Sequence, residues 1–184
     1  FYPTKVMTTG EGGMITTNNK NLHLKMSSYK NFGRGSNPQI INFLGANYKI
    51  SEFTAILGIL ELNRIKKRIN RRKEITLRYK MNLMNNSKYE VITQKTGRAS
   101  YYKCIIKTNT PSNLIIKYCK KFGIHLTGKV WDIPIHKQKI FKKYVNKASF
   151  PNSEMFSKYH ICPPNYPELK NNEVDYICSI LNKI

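Results

Sequence analysis

Apolar Phe53, Ile56, Leu57, Leu60, Ile65 and Ile69 recur at helical spacing behind Ser51, a residue type that caps helix N-termini. This pattern predicts one long helix from Ser51 to about Met84, with Gly58 inside it as a weak point or a close-packing point. Upstream, residues 6 to 18 read as a hairpin, two Thr/Ile/Met-rich strands around a turn from Gly10 to Gly13. A short helix from Asn21 to Asn31, ending near Gly33, and a loop through Gly35, Ser36, Asn37 and Pro38 follow. Beyond the break at Asn85-Asn86-Ser87 the pattern becomes mixed. Ser100 to Lys107 reads as a strand, Pro111-Ser112 opens a helix to about Phe122 closed by Gly123, and Ile124 to Thr127 reads as a short strand. After a turn-rich stretch with Trp131, Asp132 and Pro134, helices are expected near Gln138 to Val145, Ser153 to Tyr159 and Asn172 to Ile184.

Composition adds bounds to this picture. The 184 residues are 40% hydrophobic and 11% aromatic, a globular balance, enough for one good core or two small ones. The net charge of +22 invites a nucleic-acid reading, since a basic face gains from counterion release on phosphates. Two features weigh against it: the positive residues are mostly scattered Lys, and no zinc-finger, RRM or KH signature is present. The densest run, Arg64 to Lys73, keeps Ile65 and Ile69 four residues apart, as the solvated face of a helix with a buried stripe would. Cys104, Cys119, Cys162 and Cys178 form no C-x-x-C pair, so neither a metal site nor a disulfide framework is expected. Reduced thiols in the cytoplasm are the simpler expectation. No apolar stretch approaches the roughly 20 residues that span a bilayer, and no membrane partner is expected.

The chemistry centres on the first residues. Phe1-Tyr2-Pro3-Thr4-Lys5 runs through Val6-Met7-Thr8-Thr9 into Gly10-Glu11-Gly12-Gly13. A lysine between a proline-stiffened turn and a glycine turn is held by rigid backbone, as an amine that attacks a carbonyl requires. The same residues also suit a solvated turn lysine. Spacing alone leaves both readings open.

The string resembles the lysine segment of the DegT/StrS-type sugar aminotransferases, fold-type I enzymes that use pyridoxal 5'-phosphate (PLP), where Ser-Phe-x-x-Thr-Lys precedes Gly-Glu-Gly-Gly. The resemblance continues in order through Leu44-Gly45-Ala46-Asn47-Tyr48-Lys49-Ile50-Ser51-Glu52, Ala55-Ile56-Leu57-Gly58, Gly123-Ile124, Pro134-Ile135-His136, Phe150-Pro151, His160-Ile161-Cys162-Pro163-Pro164 and Glu173-Val174-Asp175-Tyr176-Ile177. Departures are Lys49 where the family has mostly Arg, Glu61 where Gln is usual and Pro163 where Leu is usual.

The resemblance implies an α/β fold, the C-terminal part of a fold-type I PLP-dependent transferase. Residues 1–50 would be the remainder of the PLP-binding large domain, 51–85 a long connecting helix and 86–184 a small C-terminal α/β domain. It implies a fragment lacking the N-terminal half and inactive alone. The implied activity is transfer of an amino group from an amino acid, glutamate being the expected donor, to a keto group of a nucleotide-linked sugar, in a homodimer with shared active sites. Lys5 would be the catalytic Schiff-base lysine. Asn47 and Lys49 would reach the cofactor phosphate of the neighbouring subunit, against the alternative of a loop pair that only caps the following helix. His136 would line the sugar-nucleotide pocket, with an ordinary loop histidine as the alternative. His160 is expected to order a turn in the small domain. Rival readings are a non-catalytic basic module that binds nucleic acid or another polyanion, and a PLP-dependent sugar dehydratase. The dehydratases carry His where Lys5 stands, so Lys5 favours transamination.

Overall fold

The computed structural model describes residues 1–126, 129–145 and 148–184, which divide into two compact units, Phe1–Ile65 and Lys66–Ile184.

In the first unit, α1 (Lys20–Tyr29) starts where the Asn19 side chain accepts the Leu22 N–H at 3.0 Å. Helix α2 (Glu52–Leu83) starts at Ser51, whose Oγ accepts the Thr54 N–H at 3.2 Å, so the expected cap and length are both present. The expected apolar stripe is there, but in this half of the helix it is exposed: Phe53 is 86% accessible, and Ile56, Ile59, Leu60 and Leu62 are open as well. Gly58 is a close-packing point. A Cβ there would meet Thr9 Cγ2 at 3.3 Å, which brings the N-terminal loop hard against the helix.

The hairpin expected over residues 6 to 18 is not formed. A strand needs a partner for its N–H and C=O groups, and here those groups close a loop instead. The Lys5 N–H bonds Tyr2 O at 2.9 Å, the Thr9 N–H bonds Phe1 O at 3.1 Å and the Thr8 hydroxyl donates to the same carbonyl. Gly10 and Gly12, at φ +81° and +141°, then turn the chain, leaving Met14 and Ile15 exposed.

The second unit carries the main core. Its three-stranded antiparallel sheet has the order β1 (Tyr89–Val91), β2 (Ile106–Thr108), β3 (His160–Ile161), with Val91 opposite Ile106 and Ile106 opposite Ile161. Ile75, Tyr79 and Leu83 of α2 pack with Ile106 of the sheet, Ile115 and Cys119 of α3 (Ser112–Lys120), and Val174, Ile177 and Leu181 of α6 (Asn171–Leu181). These α2 positions repeat at i, i+4, i+8, the stripe a core-facing helix needs.

The strand expected over Ser100 to Lys107 shrinks to β2 for a local reason. Tyr101 adopts φ +49°, its carbonyl accepts Asn165 Nδ2–H at 3.0 Å, and the Tyr102 carbonyl accepts Arg72 Nη1–H at 3.1 Å. Side chains thus hold acceptors that a longer ladder would use. The strand expected from Ile124 is also absent over 124–126, where the Ile124 N–H closes the end of α3 on Cys119 O at 3.1 Å; Thr127 lies outside the described residues. Gln138 to Val145 is a 3-10 turn (Lys139–Phe141) followed by α4 (Lys142–Val145), because Gln138 is extended at ψ 137°. Helix α5 (Pro151–Lys158) begins at Pro151, which fits the first helical position because it has no N–H to leave unpaired.

Candidate active site

Lys5 ends a tight turn in which Pro3 presets the backbone and the Lys5 N–H returns to Tyr2 O. Its side chain is exposed in the first unit, on a loop anchored from below by Val6, Thr9 and the close approach at Gly58. The glycines after it supply the turn the sequence suggested. A Cβ at Gly12 would lie 3.0 Å from Thr9 Oγ1.

Asn47 and Lys49 lie on a loop laid along the end of α1. The Ala46 N–H bonds Tyr29 O at 2.9 Å, the Tyr48 N–H bonds Lys30 O at 3.0 Å and the Phe32 N–H bonds Ala46 O at 3.1 Å. This approach requires glycines at two places. A Cβ at Gly45 would sit 2.2 Å from Gly33 N, and one at Gly33 would sit 1.8 Å from Phe43 O. Phe32 is held in the left-handed region at φ +60°, a costly position for a bulky residue that persists only where its surroundings dictate it. Its ring gathers cations: Lys49 Nζ stands 5.4 Å and Arg34 Cζ 5.3 Å from the ring centroid. Arg34 was not singled out from the sequence; its signal was the Phe32-Gly33-Arg34-Gly35 string between two loop glycines. The result is two exposed cations and the exposed amide side chain of Asn47 on one rigid loop system, a donor set suited to a phosphate.

His136 belongs to the second unit. It sits in a 3-10 turn (Ile135–Lys137) opened by Pro134 and lines a cavity of about 480 Å³ together with Trp131, Phe141, Tyr144 and Phe156. Its Nε2 is 3.1 Å from Glu154 Oε1, and its ring packs on Phe150 with centroids 4.8 Å apart. Glu154 also accepts from Lys137; that bond, then the one from His136, holds the carboxyl below the usual carboxylate range. His160 is fully buried, stacks on Phe156 at 4.4 Å and ties the end of α5 to the Val130 backbone. It thus orders a turn, as expected.

The donor types are ones PLP can use: an amine at Lys5 suits an aldehyde, and on a separate loop the amide of Asn47 with the cations Lys49 and Arg34 suits a phosphate. Among the described residues there is no cluster of three or more His, Cys, Asp or Glu that could hold a metal, and no helix long and apolar enough to cross a membrane.

Residues 1–182 match the DegT/DnrJ/EryC1/StrS aminotransferase family. The chain is 29% identical over its whole length to GDP-perosamine synthase of Escherichia coli O157:H7, covering 50% of that protein. It is 27% identical to dTDP-4-amino-4,6-dideoxy-D-glucose transaminase of Shigella dysenteriae, covering 51% of it. The chain therefore spans about half the length of the curated relatives it matches. Among solved structures it superposes on DesI crystallised in the presence of its TDP-sugar product with a TM-score of 0.87 at 20% identity, covering 100% of this chain and 47% of that one. A DegT DnrJ EryC1 StrS aminotransferase from Brucella abortus gives 0.86 at 20%, with 100% and 49% covered. These likenesses show the fold, a mixed α/β architecture that makes up about half of each matched structure.

Proposed function

Because the chain belongs to the DegT/DnrJ/EryC1/StrS aminotransferase family, we propose that the polypeptide carrying it moves an amino group from an amino acid, glutamate, to a keto carbon of a nucleotide-linked sugar. The observation that carries this reading is Lys5, an exposed amine on a backbone fixed by the Tyr2–Lys5 turn and by the packing of its loop on Gly58. PLP, when bound, supplies the electron sink for carbon–nitrogen chemistry. Lys5 Nζ would hold the cofactor through its aldehyde and, when not so engaged, would accept on Nζ the proton of the amine-bearing substrate carbon. Asn47 and Lys49, with Arg34 beside Lys49 on the Phe32 ring, would bind the phosphate of a neighbouring subunit's cofactor. Lys49 brings charge without the two-pronged geometry of Arg.

Lys5 is exposed in this chain, so the walls of a cofactor cavity around it are proposed to come from further polypeptide, in keeping with relatives about twice as long. A second copy of the protein is proposed to cover the exposed apolar face at the start of α2 and to receive the Asn47–Lys49 loop at its own cofactor, forming a homodimer. The aromatic cavity at His136 is proposed to take part of the sugar nucleotide. Four buried free thiols suit a reducing compartment, the cytoplasm.

The test is isotope transfer. The complete polypeptide, given PLP, [15N]glutamate and a set of UDP-, dTDP- and GDP-4-keto-6-deoxy sugars, is expected to yield a 15N-amino sugar, and Lys5→Ala is expected to abolish it. Label that appears equally with Lys5→Ala would overturn the reading.

A further inference from the structure

The His136 cavity holds a polar group whose own support is visible. Its wall is formed largely by aromatic and aliphatic side chains, among them Trp131, Phe141, Tyr144 and Phe156, with Ser153 and Ser157 as further polar groups. His136 is half-buried, with 12% of its side chain accessible. Glu154, on α5, reaches His136 Nε2 with one carboxylate oxygen and Lys137 with the other. Phe150 packs on the ring and limits its rotation.

The chemistry of this contact decides the tautomer. An ionised carboxylate can only accept hydrogen bonds, so the proton between the two residues must sit on Nε2. Nδ1 is then the nitrogen left with a lone pair in the neutral ring. An imidazole without such a partner would distribute its proton over both nitrogens and its plane over several rotamers.

We infer that Glu154 is a positioning residue: it fixes His136 in the Nε2–H tautomer, with Phe150 setting the ring plane, so that Nδ1 is presented as an acceptor to a hydroxyl or N–H of the ligand in this cavity. The inference rests on the proposed use of the cavity for a sugar nucleotide, and it adds the residue that makes the histidine specific. Lys137 completes the arrangement by keeping Glu154 ionised, so the carboxylate does not compete as a donor.

The experiment uses the complete polypeptide, 15N-labelled at histidine, and variants Glu154→Ala, Glu154→Gln and His136→Asn. Long-range 1H–15N correlation spectra report the tautomer of each ring, with the His136 signals identified by their loss in His136→Asn. Titration with UDP, dTDP and GDP reports binding. At a pH where the ring is neutral, the wild type is expected to show the Nε2–H form at His136, Glu154→Ala a mixture of tautomers, and Glu154→Gln a shift to the Nδ1–H form, because Lys137 claims the one amide oxygen and the NH2 faces the ring. Nucleotide binding is expected to weaken about tenfold in His136→Asn and several-fold in both Glu154→Ala and Glu154→Gln. Weakened binding in Glu154→Ala with the wild-type tautomer and wild-type binding kept in Glu154→Gln would mark a fold defect alone, and that pattern overturns the inference. An unchanged tautomer in Glu154→Ala overturns it too, while leaving the cavity reading intact if His136→Asn still weakens binding. Unchanged nucleotide binding in His136→Asn overturns the cavity reading and the inference with it.

Discussion

The His160 ring accepts, at Nε2, a hydrogen bond of 2.9 Å from the backbone N–H of Val130. Its Nδ1–H donates to the Phe156 carbonyl, so the buried ring is neutral and both nitrogens are used. A proton on Nε2 would remove the acceptor for Val130 and place a charge in the core.

That arrangement fixes a pH dependence. Burial pushes the His160 pKa below 6.5, opposed by the bond to Phe156, with Lys129 and Lys103 lowering it further and Asp132 raising it. The unfolded chain therefore binds the proton first. His160 contributes stability that is fully present above about pH 6.5 and is lost as pH falls towards the depressed folded value, with a limiting slope of about 1.4 kcal/mol per pH unit. Urea unfolding from pH 7.5 to 5 is expected to show this loss in the wild type and a smaller one in His160→Gln. Equal slopes in the two proteins would contradict it.

Gly45 is expected to accept no side chain. In Gly45→Ala the new Cβ would fall within 2.2 Å of Gly33 N, 2.6 Å of Phe32 C and 2.7 Å of Tyr29 O, all backbone atoms that cannot swing away. A cost of about 1–3 kcal/mol is expected. The Ala46 and Tyr48 amides, now bonded to Tyr29 O and Lys30 O, should lose protection in hydrogen exchange before the rest of the unit does. Wild-type protection in the variant would show that the loop does not depend on this contact.

Much of the fold could be read in the chain because its signals are local. Ser51 and the apolar spacing behind it locate α2, and Gly123 at φ +71° follows the end of α3. Strand signals failed where the outcome depends on distant partners. Residues 6–18 have strand composition but spend their backbone groups on a loop, and Tyr101–Tyr102 surrender their carbonyls to Asn165 and Arg72, 64 and 30 residues away in sequence. The strands β1 and β3 are three and two residues long, too short for their own sequence to mark them, and their pairing rests on β2, a distant partner. Motif order singles out Lys5, Asn47 and Lys49 in the first unit and His136 in the second, whereas Arg34 emerges only when Phe32 brings it to the same ring as Lys49. Glu154 likewise becomes informative only once α5 carries it to His136.

The cysteines are expected to behave as inert core residues. Burial pushes the Cys119 and Cys162 thiols up to about 11 and Cys178 to about 12, and raises Cys104 as well. At pH 7.5 almost no thiolate is present at these positions, and the thiolate is the reactive form. Thiol-disulfide labelling with peptide mapping should leave all four unmodified until denaturant is added. Rapid labelling of any of them in the folded protein would contradict their burial.

The central claim concerns one nitrogen, Lys5 Nζ. Incubating the complete polypeptide with PLP, reducing with borohydride and mapping the peptides measures directly which amine holds the cofactor. The account predicts a stoichiometric pyridoxyl-phosphate adduct on Lys5 that disappears in Lys5→Ala. An adduct spread over the many surface lysines, or concentrated on another lysine while Lys5 stays unmodified, would contradict it.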